Sequence, residues 1–123
     1  MGTITPDDEA IKALTTAPED GPIVMVNILK FKPNGGQEAY ARYGAPVSKM
    51  VEALGGRIVY MGPVAQTVIG AGRWDAVALV EYPSRKAFLS MVTSPEYIKL
   101  HAHREEGLED TILLATKPGQ LKL

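Results

Sequence analysis

The sequence predicts an α+β domain: one four-stranded antiparallel sheet in β-α-β-β-α-β order, with an extra N-terminal helix. Three observations carry this. Four β-branched or apolar runs are separated by glycine and proline breaks, apolar residues between the runs fall at helical spacing, and two of the runs are apolar on both alternating faces. At 123 residues the chain suits a single domain, able to bury about two-thirds of its unfolded surface.

Thr5-Pro6-Asp7-Asp8-Glu9 starts the leading helix. Thr5 can cap, Pro6 suits the first helical position, and the acids favour the positive end of the dipole. Ile11 and Leu14 give it a thin apolar stripe before Pro18, so it should lie on the domain and not at its centre. Ile23 to Phe31 (IVMVNILKF) reads as a buried central strand, closed by Pro33-Asn34-Gly35-Gly36. From Gln37 to Leu54, Tyr40, Tyr43, Val47, Met50, Val51 and Leu54 sit at helical spacing. Gly44-Ala45-Pro46 within that pattern predicts a kink or break. Gly55-Gly56 ends the helix.

Arg57 to Ile69 reads as the second strand, with a bulge or bend expected at Gly62-Pro63. Gly70-Ala71-Gly72 turns the chain into a third strand, Trp74 to Tyr82. Pro83-Ser84 opens a helix through about Val92, and Ser94-Pro95-Glu96 caps another that Gly107 ends. Thr111 to Thr116 is the last strand, and Pro118-Gly119 releases the tail. Right-handed crossovers turn this order into a ferredoxin-like sheet with helices on one face and the first and third strands in the middle. The domain spans residues 21–118, after an extension at 1–20 and before a tail at 119–123. The other sheet face needs cover, either from the leading helix or from a second copy. The apolar central strands favour a homodimer.

Composition excludes several classes. With 46% hydrophobic and 22% charged residues the chain matches an ordinary globular protein. A net charge of -1 and the absence of any Lys/Arg run argue against nucleic acid and acidic membranes as partners. No cysteine is present, which removes disulfides, thiolate metal sites and thiol nucleophiles together. The acidic start MGTITPDDEA gives no secretory signal, and no apolar run reaches transmembrane length, so a cytoplasmic location is expected.

GPIVMVNILKF, the pair Gly55-Gly56, VEYPS (Val80 to Ser84) and SPEY (Ser94 to Tyr97) resemble the domain-of-unknown-function family 1330. The resemblance covers roughly Gly21 to Pro118. It implies a dimeric α/β barrel of two facing sheets, with a small cavity beneath the helices of each subunit. The wider superfamily includes cofactor-independent monooxygenases, lactone isomerases, polyketide cyclases and haem-binding enzymes. The family itself has no agreed reaction.

Ser94 to Asp110 concentrates the chemistry, holding both histidines with Tyr97 and Arg104. His101 and His103 lie on a helix, where residues two apart diverge by about 200°, so they should not share a metal. His101 shares the face of Tyr97 and should point inward, as a core histidine or as a general base. His103, with Lys99 and Gly107, should be more exposed. Asn27 interrupts an apolar strand on the side of Met25 and Leu29. It either makes a structural hydrogen bond or, as the resemblance to the monooxygenases implies, holds a ligand. Tyr60 offers a hydroxyl of the kind polyketide cyclases use. Trp74 is either a flat wall for an aromatic ligand or a core plug, and Asp75 is its neighbour on the opposite strand face. Arg104 either pairs with a carboxylate or orients an anionic ligand. Phosphate loops, nucleophile elbows and zinc helices have no counterpart here, and no cofactor or metal is expected.

The expected function is therefore a small homodimer that binds an organic metabolite. If it is an enzyme, it is a cofactor-free isomerase, cyclase or monooxygenase with His101 as base and Asn27 and Tyr60 stabilising negative charge. Trp74, Asp75 and Arg104 would then contact the ligand. The alternative is a non-catalytic binding or structural dimer.

Overall fold

A computed structural model describes residues 8–18, 21–119 and 121. The helix-start residues Thr5, Pro6 and Asp7 lie outside the described residues. The elements run α1 (Asp8–Thr16), β1 (Ile23–Phe31), α2 (Gly36–Ala53), β2 (Arg57–Pro63), β3 (Ala76–Tyr82), α3 (Arg85–Val92), α4 (Pro95–Gly107) and β4 (Leu108–Thr116). The sheet order is β2-β3-β1-β4, antiparallel throughout, so β1 and β3 are central as their two-sided apolar sequences require.

Four expected boundaries are corrected. Pro46 does not break α2, which is continuous through it. Tyr43, Val47 and Val51 are buried on one face across the proline, and that packing holds the helix together. The second strand ends at Pro63 instead of Ile69, and its irregularity falls between Ile58 and Tyr60, not at Gly62-Pro63. The third strand starts at Ala76 instead of Trp74. Just before it, the Asp75 carboxylate accepts the Phe31 N–H at 2.8 Å, occupying the edge where pairing would begin. The last strand starts at Leu108, because that fully buried residue pairs with Phe31 directly after the helix ends.

Side-chain caps fix the two later helices where the sequence placed them. Ser84 Oγ accepts from Ala87 N, and Ser94 Oγ accepts from Tyr97 N. Gly107 ends α4 as expected, but it is buried and not on an exposed face. A Cβ there would lie 2.5 Å from Gly36 O and 2.7 Å from Tyr40 N. Glycine lets the start of α2 touch the end of α4, which brings Tyr40 close to Arg104.

One sheet face carries Ile23, Met25, Asn27 and Leu29 of β1, all buried beneath the helices. The opposite face carries Val26 and Ile28, paired with Leu79 and Val77 on β3 and with Leu114 and Ile112 on β4. It is apolar, and Ile112 and Leu114 remain 40% and 48% exposed. The leading helix does not cover it. α1 packs beside α3 in the helix layer, and Ile11 and Leu14 face the cavity there. No described helix is long and apolar enough to cross a membrane.

Candidate functional site

Between the sheet and the helices lies a cavity of about 1030 Å³. Its walls come from every element, and its polar groups gather where α2, α4 and β1 meet. Asn27 enters from β1 because it shares the inward period of Met25. Tyr40, Tyr43 and Tyr97 come from α2 and α4, Tyr82 from β3, and His101 and Arg104 from successive turns of α4. Four of the five tyrosines in the chain thus line one cavity.

The rings form a chain. Centroid separations are 5.3 Å for Tyr40–Tyr43, 5.8 Å for Tyr43–Tyr97 and 5.7 Å for Tyr97–His101. The Tyr43 and Tyr97 hydroxyls share a 2.8 Å hydrogen bond. Arg104, only 5% exposed, hydrogen-bonds Tyr40 through its side chain. Burial pushes all four phenols above their usual range, and at Tyr43 and Tyr82 the neighbouring tyrosines add to the desolvation. They remain protonated at neutral pH and can donate to an anion.

His101 shifts the other way. Burial first and the Arg104 charge second push it below its ordinary value of 6.5, with Glu105 partly opposing. Its Nδ1 is buried and has no hydrogen-bond partner among the described residues. The neutral imidazole is favoured, the form that accepts a proton. The shift has a consequence for stability. Above pH 6.5 His101 is neutral folded and unfolded alike; below it the unfolded chain protonates first. Stability is therefore lost as pH falls from 6.5 through the lower folded value. Wild-type protein should lose more melting temperature than His101→Gln between pH 7.5 and pH 5; equal losses would contradict the shift.

Of the residues expected at a site, Asn27, His101 and Arg104 converge on the cavity. Asn27 is 9% exposed, and its Nδ2 donates to Met25 O and Ala78 O only at 3.4 Å each. These are long contacts, so the amide is held loosely. Tyr60, Trp74 and Asp75 lie elsewhere. Tyr60 stands 56% exposed on the open sheet face, because the bulge after Ile58 turns it outward and gives its inward place to Met61. Trp74 stands half-buried outside the cavity lining, in the loop before β3. Asp75 is tied to Phe31 N and to Arg73 at 3.6 Å, a bracing role at the sheet end. His103 diverges from His101, with Nδ1 3.6 Å from Glu106 Oε1, and does not line the cavity. Among the described residues no three His, Asp or Glu side chains gather closely enough to hold a metal ion.

The tyrosine cluster was not visible as a site in the sequence, where each tyrosine fits a packing period. The available signal was their number at inward positions, since each buried hydroxyl needs a polar neighbour.

Residues 28–117 match the model of the family described as Domain of unknown function (DUF1330). The chain belongs to DUF1330. A crystal structure of a protein of unknown function from Rhodopseudomonas palustris is similar to this DUF1330 chain at 34% identity and a TM-score of 0.91, covering 98% of this chain and all of that one. The family match begins within β1, whereas this likeness is long enough to include α1. More distant solved structures share the fold. One from Arabidopsis thaliana has 15% identity and a TM-score of 0.64, covering 82% of this chain and 99% of that one. A dimeric ferredoxin-like protein of unknown function from Jannaschia has 13% identity and a TM-score of 0.63, covering 79% and 99%. No curated protein matches the chain.

Proposed function

We propose that this DUF1330 chain is a cytosolic homodimer whose subunits each bind a small organic molecule in the cavity beneath the helices. The observation that carries the ligand is the buried Arg104, set among four tyrosines and His101 in a mainly apolar hollow. Convergent polar groups within an apolar cavity are what a small-molecule site needs. The dimer is supported by the apolar sheet face that α1 leaves open, and by the dimeric state of the Jannaschia relative in fold.

Chemistry at such a site is cofactor-free proton transfer. A bound molecule with an acidic C–H or O–H would give its proton to neutral His101, and Arg104 with the tyrosine hydroxyls would hold the oxyanion that forms. Isomerisation, cyclisation and oxygenation of activated substrates all begin this way. Asn27 would position the ligand, and the Tyr43–Tyr97 pair takes the part first expected of Tyr60. One observation favours binding without turnover: His101 Nδ1 hydrogen-bonds no orienting group among the described residues, whereas general bases are commonly held by one.

Native mass spectrometry of freshly purified protein tests assembly and ligand together. The expected spectrum is a dimer carrying small-molecule adducts that leave on denaturation. A monomer at micromolar concentration would contradict the assembly. A bare dimer that also fails to take up Nile red, a neutral apolar dye, would contradict the ligand site.

A further inference from the structure

The cavity is lopsided, and the asymmetry names a ligand class. Arg104, His101, Tyr40, Tyr43 and Tyr97 form its polar side on α2 and α4. The side under α1 is mainly apolar, with Ile11, Leu14, Phe88 and Val92 beside Arg85 of α3 and Thr93 after it, and with Ile58 and Val51 towards the β2 edge. α1 contributes only apolar residues to the wall, its lysine facing away. Among the lining residues two arginines stand against one glutamate, Glu105, and no lysine is present. Arg85, half-buried, also lines the shallower groove between α1 and α3, whereas Arg104 is buried.

We propose that the cavity takes an amphipathic monocarboxylic acid, its carboxylate on Arg104 beside the Tyr43–Tyr97 hydroxyls and its apolar body under α1 against Ile11 and Leu14. This rests on the ligand-binding reading above. The planar guanidinium fork matches a carboxylate, and burial strengthens a hydrogen-bonded ion pair while excluding water. A phosphate monoester would bring up to two charges to a single interior guanidinium, whereas a carboxylate matches its planar fork with one. The volume lies at the upper end of the range of about 300–1,000 Å³ common for small-molecule sites, enough for a body far larger than the carboxylate. On this account α1 forms the wall against the tail, and it sets how long a tail is accepted.

Displacement of Nile red from the wild-type dimer at pH 7.5, by decanoate, decanamide and 1-decanol below their aggregation limits, tests the class. Decanoate should displace the dye at a concentration at least tenfold lower than the amide or alcohol, and Arg104→Met should abolish that advantage. In a C6–C14 alkanoate series, Leu14→Trp should move the tightest binder at least two carbons shorter. Equal potency of acid and amide with the dye bound would overturn the carboxylate while leaving the cavity reading standing. An acid advantage lost in Arg85→Gln and kept in Arg104→Met would overturn the placement of the head. An unchanged chain-length optimum in Leu14→Trp would overturn the placement of the tail. Failure of the wild type to bind Nile red would instead strike the ligand-binding reading itself. Should Arg104→Met not fold, the wild-type comparison of acid with amide decides the class alone.

Discussion

Gly107→Ala should cost about 3 kcal/mol of stability and lower the melting temperature by roughly 10 °C or more. A Cβ at residue 107 would meet two backbone atoms, Gly36 O at 2.5 Å and Tyr40 N at 2.7 Å. Neither can rotate away as a flexible side chain would, so α2 and α4 must separate. The reciprocal clash of a Cβ at Gly36 with Gly107 O, at 2.7 Å, shows that this is one crossing seen from both sides. The separation would also draw Tyr40 away from Arg104. Gly44→Ala, on α2, provides a contrast, because a Cβ there meets nothing within 4 Å. It should stabilise the protein by about 0.5–1 kcal/mol through helix propensity. Thermal melts of both variants check the pair, and similar effects of the same sign would contradict the close crossing.

Arg104→Met should separate binding from stability. A guanidinium kept in the interior only for structure would cost about 3–5 kcal/mol on removal, as broken buried pairs do. Here an unbranched apolar side chain replaces a charge that the apo protein must keep desolvated. Relief of that cost offsets the interactions Arg104 makes, the hydrogen bond to Tyr40 among them, and stability should stay within about 2 kcal/mol of wild type. Decanoate affinity should fall at least about 30-fold, the equivalent of about 2 kcal/mol for a buried charge contact. Calorimetric titration beside a thermal melt measures both quantities. A large stability loss with unchanged affinity would make Arg104 a structural residue.

Much of the fold was legible because local signals agreed. IVMVNILKF specified β1 to the residue, and Ser84 and Ser94 both cap helices as their positions suggested. The inward direction of His101 followed from a period of 3.6, while the period of two set Asn27 on the face of Met25 and Leu29 without saying which way that face looks. Tyr60 shows where such counting fails. Strict alternation from inward Ile58 would turn Tyr60 inward, but one extra residue in β2 reverses every later side chain. Nothing in RIVYMGP announces that residue; pairing with β3 decides it. Pro46 misled in the opposite direction, since long-range packing by Tyr43 and Val47 outweighed a local helix breaker. Trp74 and Asp75 had the chemistry of a site, and the sheet end uses Asp75 as a brace. The tyrosine cluster could not be read because its members meet only in three dimensions. Tyr40 and Tyr97 are 57 positions apart, yet both answer to the same arginine.

A crystal structure of the protein grown with decanoate tests the central claim most directly. The predicted result is one acid per cavity, its carboxylate within about 3 Å of the Arg104 guanidinium and its chain running under α1 past Leu14. An acid bound on the open sheet face, or one in the cavity with its carboxylate turned away from Arg104, would contradict it.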